Sequence, residues 1–347
     1  MGLSRIMKEK GIVFKNYSLD EDGYVVSVNL TKQCDSLDLS DDVKGFKCHI
    51  NSDVCTNLTV SYNGTLITDL SYLFYNNFTI AYVDFTEFNM ENIETMEGMF
   101  KNCISLESFE LTGNLDKLKS IASMFEGCRE LHNVNFLYYK QLESIKTMER
   151  AFYDSGLRSI EFLGSAISEK ASMLNLNEAF AYSSIISADL DFITKLDVYS
   201  AEGLFRNSTI NSIYIRNISS GFDIFFGALS NCSNLEHIII DVDIKDYFNF
   251  ALLFSPVTGE RNEHPQTWHI KTDVCYKNSH YKFEDFVTTF AKCRFLLVKV
   301  ENNTNPDVTV MDILDSSLDT MSKLEFNEYI EKFSGRLFVM KEDGTLC

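Results

Sequence analysis

Cysteine is the residue type in this chain with the clearest chemical potential, because a thiolate is both a nucleophile and a metal ligand. The chain has nine cysteines. Four of them stand three residues after a recurring aromatic or leucine residue: Cys103, Cys128, Cys232 and Cys293. Serine or asparagine takes this place in sister segments. A catalytic thiol could not be replaced in this way, so the pattern predicts reduced thiols that serve packing.

A second chemical candidate is a group of possible metal ligands. His264, His269, Cys275 and His280 lie within 17 residues, separated by five, six and five positions. Zinc sites usually contain paired short spacings, which are missing here. We interpret residues 255–282 as an irregular insertion with incidental histidines, with a metal site as the alternative. Asp20-Glu-Asp-Gly23 reads as a hairpin turn, because a calcium loop needs regular ligand spacing and a distal glutamate.

Other enzyme and ligand classes are disfavoured by motif and by charge. The chain has no glycine-rich phosphate loop and no G-x-S-x-G motif, so no enzyme activity and no cofactor are expected. Its 31 basic and 50 acidic residues give a net charge of −19. This charge disfavours nucleic acid and favours a protein partner with a basic surface. No apolar run reaches the ~18 residues of a membrane span, so no membrane insertion is expected.

The elements that would position these residues follow from an internal repeat. Aromatic or leucine residues, which we call the anchors, recur at intervals of 24–28 residues, with a last interval of 36. The anchors are Phe74, Phe100, Phe125, Phe152, Phe180, Phe205, Leu229, Phe254 and Phe290. The residues four and seven positions before each anchor are all apolar or aromatic, as Ile121 and Leu118 are before Phe125.

Each anchor is followed by a short alternating stretch, such as Leu106-x-x-Phe109-x-Leu111. The spacing before the anchor predicts a short helical turn, and the alternation after it predicts a strand with one buried face. One such unit is too small to bury its apolar residues alone. Stacked units bury them, so the sequence predicts an α/β repeat solenoid with a parallel sheet on one face.

The repeat resembles the BspA-type (Treponema-type) leucine-rich repeat. Residues 84–103, DFTEFNMENIETMEGMFKNC, carry the apolar–Phe pair and the cysteine of that family's unit, and the L-x-x-I-x-L strand follows. The resemblance covers residues 64–300. It implies an irregular, right-handed leucine-rich-repeat-like array with roles in binding or adhesion, and no catalytic residues to carry over.

The repeat divides the chain into three parts. Residues 1–63 are predicted to form a β-rich N-terminal cap, with a hairpin around Asp22-Gly23. Residues 64–300 are predicted to form the solenoid, interrupted at 255–282. In residues 301–347 a helical pattern over 313–333 precedes a short strand at 336–340, which predicts a C-terminal cap or a segment that docks to a partner.

The outward residues of successive strands should form columns on the sheet face. One column is acidic at Asp84, Glu110, Glu161 and Asp189 and then becomes aromatic and apolar from Tyr214. His237 lies in the neighbouring column, which is rich in serine. These six residues are the candidate partner-binding residues, and an ordinary solvated sheet face is the alternative interpretation.

The sequence is compatible with two functions. The first is a non-enzymatic scaffold that binds another protein through the sheet face. The second is a structural or adhesive component of a larger particle, such as a phage virion or a bacterial surface adhesin, in which the chain would self-assemble. No secretory signal is visible near Met1, so a cytoplasmic or virion-associated protein is expected.

Overall fold

The chain folds as a solenoid of short parallel strands. The computed structural model describes residues 16–111, 113–136, 142–190, 193, 196–216, 222–235, 237–241, 271–276, 295–300 and 337–340. It contains about seven parallel turns, each of which we call a coil, and little helix. The predicted repeat solenoid is therefore confirmed, but its helical content is much lower than the predicted α/β class.

The strands are short and distributed along the described ranges. They are β1 (Tyr17–Leu19), β2 (Tyr24–Val28), β3 (Cys34–Asp38), β4 (Gly45–Phe46), β5 (Asn57–Ser61), β6 (Tyr82–Asp84), β7 (Ser108–Leu111), β8 (Asn133–Phe136), β9 (Leu174–Asn175), β10 (Ser187–Asp189), β11 (Val198–Ser200), β12 (Ser212–Arg216), β13 (His237–Asp241), β14 (Lys271–Tyr276), β15 (Phe295–Val300) and β16 (Leu337–Met340). The described helices are α1 (Glu161–Ala166) and a 3-10 helix (Phe222–Phe225).

The N-terminal region begins with the predicted hairpin. β1 and β2 pair antiparallel, and the Asp20 carboxylate accepts hydrogen bonds from the backbone N–H groups of Asp22 and Tyr24 inside the turn. β4 adds to β2 in parallel. Parallel pairing of the repeat type already begins at β3, which pairs with β5, and β5 pairs in turn with β6. Coils are thus present inside the segment predicted as a cap.

The parallel pairing continues through most of the chain. β7 pairs with β8, and β9 pairs with β11. A six-stranded sheet has the strand order β10, β12, β13, β14, β15 and β16. β14 lies in the segment interpreted as an irregular insertion, which corrects that interpretation for residues 271–276. Val274 of β14 lies in register between Ile238 of β13 and Val298 of β15. The alternating sequence of β14, with its β-branched residues, therefore fits into the parallel sheet. His264, His269 and His280 lie outside the described residues.

The C-terminal strand predicted around residues 336–340 is present. β16 pairs in parallel with β15, with Val339 opposite Val298. This end of the chain therefore extends the six-stranded sheet. The helix predicted over residues 313–333 and the anchors Phe254 and Phe290 lie outside the described residues.

The core is a column of stacked anchor rings. Six phenylalanine anchors, from Phe74 to Phe205, are each 0% exposed, and successive ring centroids lie 5.1–5.8 Å apart. The apolar residues four positions before the described anchors are buried too. Met173, expected to point inward seven positions before Phe180, is instead 56% exposed, because Leu174 takes the buried position in its coil.

The segment around each anchor, which we call the anchor turn, does not form the predicted helical turn. In a helix each N–H would donate to the carbonyl four residues earlier. Here every second N–H donates to the next coil: Tyr72 to Glu97 at 2.8 Å, Phe74 to Met99 at 2.8 Å. The other described coils repeat this arrangement up to Asn207. The predicted helix is wrong because these donors point along the solenoid axis.

The backbone has a left-handed conformation on both sides of each anchor. This conformation points alternate N–H groups along the solenoid axis. Positive φ angles recur two residues before and two residues after the described anchors. Before the anchor they belong to Tyr72, Gly98, Ser123, Arg150, Glu178, Gly203 and Gly227; after it they belong to Asn76, Asn102, Gly127, Asp154, Tyr182, Asn207 and Asn231. Asparagine and glycine tolerate this conformation best, which explains their frequency there. At Gly98 a Cβ would also lie 2.4 Å from the Tyr72 ring, so both the backbone angle and the nearby ring favour glycine there.

Buried cysteines three positions after their anchors bond to the preceding coil, and we call them the ladder thiols. The thiols of Cys103 and Cys128 donate to the carbonyls of the preceding anchors, Phe74 and Phe100, at 3.0 Å. Cys232 donates in the same way to Phe205 at 3.1 Å. These thiols are buried and not disulfide-bonded, as the repeat pattern predicted. Each of these carbonyls also accepts a backbone N–H of its own coil, so the thiol adds a second hydrogen bond that joins two coils.

Phe125→Ala should destabilise the solenoid strongly. The ring lies between those of Phe100 and Phe152, at 5.8 and 5.3 Å, and its removal leaves a cavity inside the stack. We expect a loss of about 3–5 kcal/mol in the free energy of unfolding, measured by denaturant titration. Phe78→Ala removes a phenylalanine that is 56% exposed and is the matched control. Equal, small losses for both variants would contradict the stacked core.

The ladder thiols should react only when their coils open. Burial raises the pKa of Cys103 and of Cys232 to about 12 and that of Cys128 well above its ordinary range, so almost no thiolate forms near neutral pH. Mass-spectrometric mapping of maleimide labelling should find these three cysteines unmodified in the native protein and modified after denaturation. Cys48, which is only partly buried, is the internal control and should react first. Native labelling of Cys128 at the rate of Cys48 would refute the ladder.

Candidate interaction surfaces

The sheet face has the alternation expected of a half-buried strand face. In β7, Phe109 and Leu111 are buried, Ser108 is half-buried and Glu110 is exposed. Parallel pairing in register places equivalent residues side by side, so that Glu110 lies opposite Asn135 of β8. The outward residues therefore form columns across the coils, as predicted.

Asp84 and Glu110 stand next to each other in this face. The N–H of Glu107, just before β7, donates to the carbonyl of Ala81, just before β6. The N–H of His132, just before β8, donates to the carbonyl of Glu107 in the same way, so β7 lies next to β6 as β8 lies next to β7. Both carboxylates lie near Tyr82. Burial raises the pKa of the Tyr82 hydroxyl, and the negative charges of Asp84 and Glu110 raise it further. The Asp84 carboxylate also accepts the N–H of Thr86 at 2.8 Å, which gives it a local role in the turn.

Glu161 does not belong to the column, which corrects the predicted acidic stripe. It is the exposed first residue of α1, not part of a strand. The apolar residues here continue as Ile160, Leu163 and Ala166, all buried. A spacing of three residues fits a helix and not a strand, and the shorter motif ending at Phe162 could not distinguish the two. The α1 coil thus interrupts the sheet face between β8 and β10.

The second half of the sheet face begins at β10. Asp189 is exposed and pairs in register with the half-buried Tyr214 of β12, which pairs with Ile239 of β13. His237 of β13 lies opposite Ser212 and Asp273. The structure therefore brings Asp84 together with Glu110, and Asp189 together with Tyr214, on two separate parts of the sheet. Partner binding by these residues stays a prediction.

A second organised surface follows the anchor turns and was missed in the sequence. Five charged residues of alternating sign connect five consecutive coils, and we call them the ion ladder: Lys101, Glu126, Arg150, Glu178 and Arg206. Lys101 Nζ lies 2.9 Å from Glu126 Oε2, and the Arg150 guanidinium lies 2.8 Å from Glu126 and 2.6 Å from Glu178. Arg206 pairs with the other oxygen of Glu178. Comparison of the residues one position after and two positions before each anchor would have revealed the alternation.

Partial burial strengthens these pairs. The Glu126 side chain is 12% exposed and that of Arg150 is 31% exposed. Burial alone would raise the pKa of the Glu126 carboxyl, but hydrogen bonds from Arg150 and Lys101 outweigh it and hold that pKa below its ordinary value. Burial also opposes the charge of Arg150, and the bonds to Glu126 and Glu178 raise its pKa overall. Both partners are therefore charged at neutral pH.

Aromatic rings line the same ridge. The Arg150 guanidinium lies 3.6 Å from the centroid of the Tyr153 ring, and that ring lies 5.0 Å from Tyr182 in the next coil. Arg206 lies 5.3 Å from the Tyr182 centroid. Cation–π and ring contacts thus continue the coupling between coils.

A third repeated feature caps five consecutive anchor turns, from that of Phe74 to that of Phe180. The side-chain oxygen five positions before the anchor accepts the N–H two residues later, in a short local turn. The residues that do so are Asp69, Thr95, Ser120, Thr147 and Asn175. Isolated parallel bridges connect the same five residues from coil to coil. All five are small polar residues at the same distance from their anchors, and this shared property is the signal in the sequence that indicates the caps.

Within the described ranges, no three or more His, Cys, Asp or Glu side chains are grouped so that they could hold a metal ion. None of the helices described in this structure has the length and apolar character needed to cross a membrane.

The family described as "Mycoplasma protein of unknown function, DUF285" matches residues 43–162 of the chain. This segment is less than half of the sequence and contains the anchors from Phe74 to Phe152. It begins shortly before Ile50 and ends within α1, so the likeness is confined to the first coils. No curated protein matches the chain significantly.

Arg150→Met should weaken the coupling between three coils. It leaves Glu126 and Glu178 partly buried without their shared cation. Because the pairs are partly exposed, the expected loss in the free energy of unfolding lies between about 1 kcal/mol for surface pairs and about 3 kcal/mol for buried ones. Arg129→Met is the matched control, since Arg129 bonds Asp154 but is 70% exposed, and it should cost less than about 1 kcal/mol.

The same comparison has a pH signature. A carboxyl whose folded pKa is lowered stabilises the fold above its ordinary value, here 4.5, and loses that contribution as the pH falls below it. Thermal melting of the native protein should therefore show a steeper loss of stability below pH 4.5 than Arg150→Met does. Parallel pH profiles for the two proteins would show that the ion ladder does not stabilise the solenoid.

Proposed function

We propose that the chain is a non-enzymatic scaffold that binds a protein partner with a basic surface through the sheet face. The observation that carries the proposal is that the carboxylates of Asp84 and Glu110 lie next to each other on adjacent coils. Neighbouring like charges on a sheet repel each other, and Glu110 has no described role in the fold that would offset this repulsion. A cationic partner would relieve it.

The position of the charges supports a binding role further. The inward residues of the same strands, such as Val83 and Phe109, are buried and are required by the core. The outward residues are not, so their identities are available for recognition. Ser108, Ser187 and Ser212 keep the neighbouring column small, which would let a partner approach the backbone. Charge complementarity of this kind acts mainly on the association rate and weakens with salt.

The chemistry of the cysteines supports the non-enzymatic part of the proposal. The thiols of Cys103, Cys128 and Cys232 are buried and donate hydrogen bonds to backbone carbonyls. Burial raises the pKa of each thiol, which removes the thiolate that catalysis would need. These residues therefore serve the fold.

Neutralising the sheet-face acids should weaken partner binding, and the chain offers a matched control. We would compare Asp84→Asn/Glu110→Gln/Asp189→Asn, and each of its three single variants, with Glu161→Gln, which removes one such charge from α1. After affinity capture of a partner from the source cells, the triple variant should bind that protein at least about tenfold more weakly at low salt, mainly through a slower association rate. Glu161→Gln should bind as the native protein does.

The result is decisive only if the variants fold. Because the substituted side chains lie on the surface, their melting temperatures should match that of the native protein. Unchanged affinity and unchanged salt dependence in the folded triple variant would refute sheet-face recognition. Stable self-assembly of the purified native chain in size-exclusion chromatography, without a partner, would favour a structural component of a larger particle.

A further inference from the structure

An exposed apolar column runs along the first three coils, away from the sheet-face acids. Ile50 is the anchor of the first of these coils: it is 0% exposed, its N–H donates to Leu73 of the next coil, and its carbonyl accepts the Asn77 side chain. The residues four positions after the anchors Ile50, Phe74 and Phe100 are Val54, Phe78 and Ile104. They are 51%, 56% and 44% exposed. We call them the apolar column.

Hydrogen bonds between the coils place these residues side by side. The Ser105 hydroxyl donates to the Phe78 carbonyl at 2.7 Å, which fixes the backbone beside Ile104 against Phe78. The Thr79 hydroxyl donates to the Cys55 carbonyl at 3.1 Å and also bonds the Ser52 carbonyl, on the two sides of Val54. The column therefore follows the coil spacing, which is 5.1 Å between the stacked rings of Phe74 and Phe100.

The repeat itself does not require apolar residues at this position. In later coils the equivalent residues are Arg129, Gly156, Ser184, Thr209 and Ser233, of which Arg129, Thr209 and Ser233 are exposed and none is a large apolar residue. Single exposed apolar residues are common on protein surfaces and carry no message. Here three consecutive coils place one at the same solvent-facing position, and such contiguous patches mark interaction sites.

The charges around the column are acidic. Asp53 and Glu107 are exposed beside it, and Glu130 follows on the next coil. The nearby cations are already paired, Lys101 with Glu126 and Arg129 with Asp154. A partner that covers the column must therefore combine apolar anchors with positive charge.

We propose that the apolar column binds a basic amphipathic helix of another protein. A helix rises about 1.5 Å per residue, so side chains at positions i, i+3 or i+4, and i+7 lie about 5 and 10 Å along its axis. Those distances match one and two coil steps. Three helix anchors would contact Val54, Phe78 and Ile104, and lysines on the flanks would face Asp53 and Glu107. This surface is separate from the sheet face of the proposed function.

The test uses a synthetic peptide that forms a helix with leucine on one face and lysine on the other. Binding to the full chain would be measured by fluorescence anisotropy. Val54→Ser/Phe78→Ser/Ile104→Ser should weaken binding about tenfold or more, because it removes all three apolar contacts. The matched control is Met173→Ser/Ile186→Ser/Tyr199→Ser, which removes three apolar residues that are 56%, 54% and 62% exposed elsewhere on the surface. It should bind as the native chain does.

Further variants test the role of the acidic residues and the independence of this surface from the sheet face. Asp53→Asn/Glu107→Gln should weaken binding and reduce its salt dependence, and a peptide with glutamate in place of lysine should not bind. The sheet-face variant Asp84→Asn/Glu110→Gln/Asp189→Asn should bind the lysine peptide as the native chain does, so either proposal can fail alone.

Three results would overturn the proposal. The first is no saturable binding of the lysine peptide to the native chain. The second is an equal loss in both triple variants, which would indicate unspecific attraction to a chain of charge −19. The third is a native dimer in sedimentation that only the column variant dissociates, together with no peptide binding, which would assign the column to a second copy of this chain.

Discussion

The structure depends on one arrangement of the backbone: in each anchor turn, alternate N–H groups donate to the next coil. From Tyr72 onward these bonds lie at 2.7–3.1 Å and repeat over six described coil steps. Each contributes only about 0.5–1.5 kcal/mol net, but all of them join different coils. The remaining N–H groups of the turn donate within their own coil, but the alternate donors are satisfied only by a neighbouring coil, so stability depends on stacking.

This arrangement has a conformational cost that explains the composition of the turn. Residues on both sides of the anchor adopt positive φ, which costs a residue with a Cβ about 1–2 kcal/mol. Glycine and asparagine reduce the cost at Gly98 and Asn102, whereas Arg150 and Glu178 do not. Those two residues belong to the ion ladder, so their charged contacts help to offset the strain of their backbone. The polar caps at residues such as Thr95 add local support at the start of each turn.

The sequence predicted what a fixed apolar spacing determines. The anchors, the small residues after them and the strand alternation all have the expected burial, because a period of 24–28 residues leaves little freedom for their positions. The helical turn was wrong because two apolar residues four positions apart fit both a helix and the anchor turn, and only the direction of the N–H groups distinguishes them. Glu161 was misplaced for a similar reason, since Leu157-x-x-Ile160-x-Phe162 contains both a helical spacing of three and a strand spacing of two. The ion ladder was missed because opposite charges alternate between two repeat positions.

The repeat also separates residues that the fold needs from residues that it does not. Phe100, Cys103 and Thr95 recur in kind in most of the described coils, as a buried anchor, a small buried residue and a polar cap. Glu110 and Phe78 have no such counterpart in all coils, and polar or small residues replace them elsewhere without loss of the architecture. In a solenoid whose coils share one hydrogen-bonding scheme, departures of this kind on an exposed position cannot be attributed to folding. They are therefore the positions at which we propose recognition by a partner.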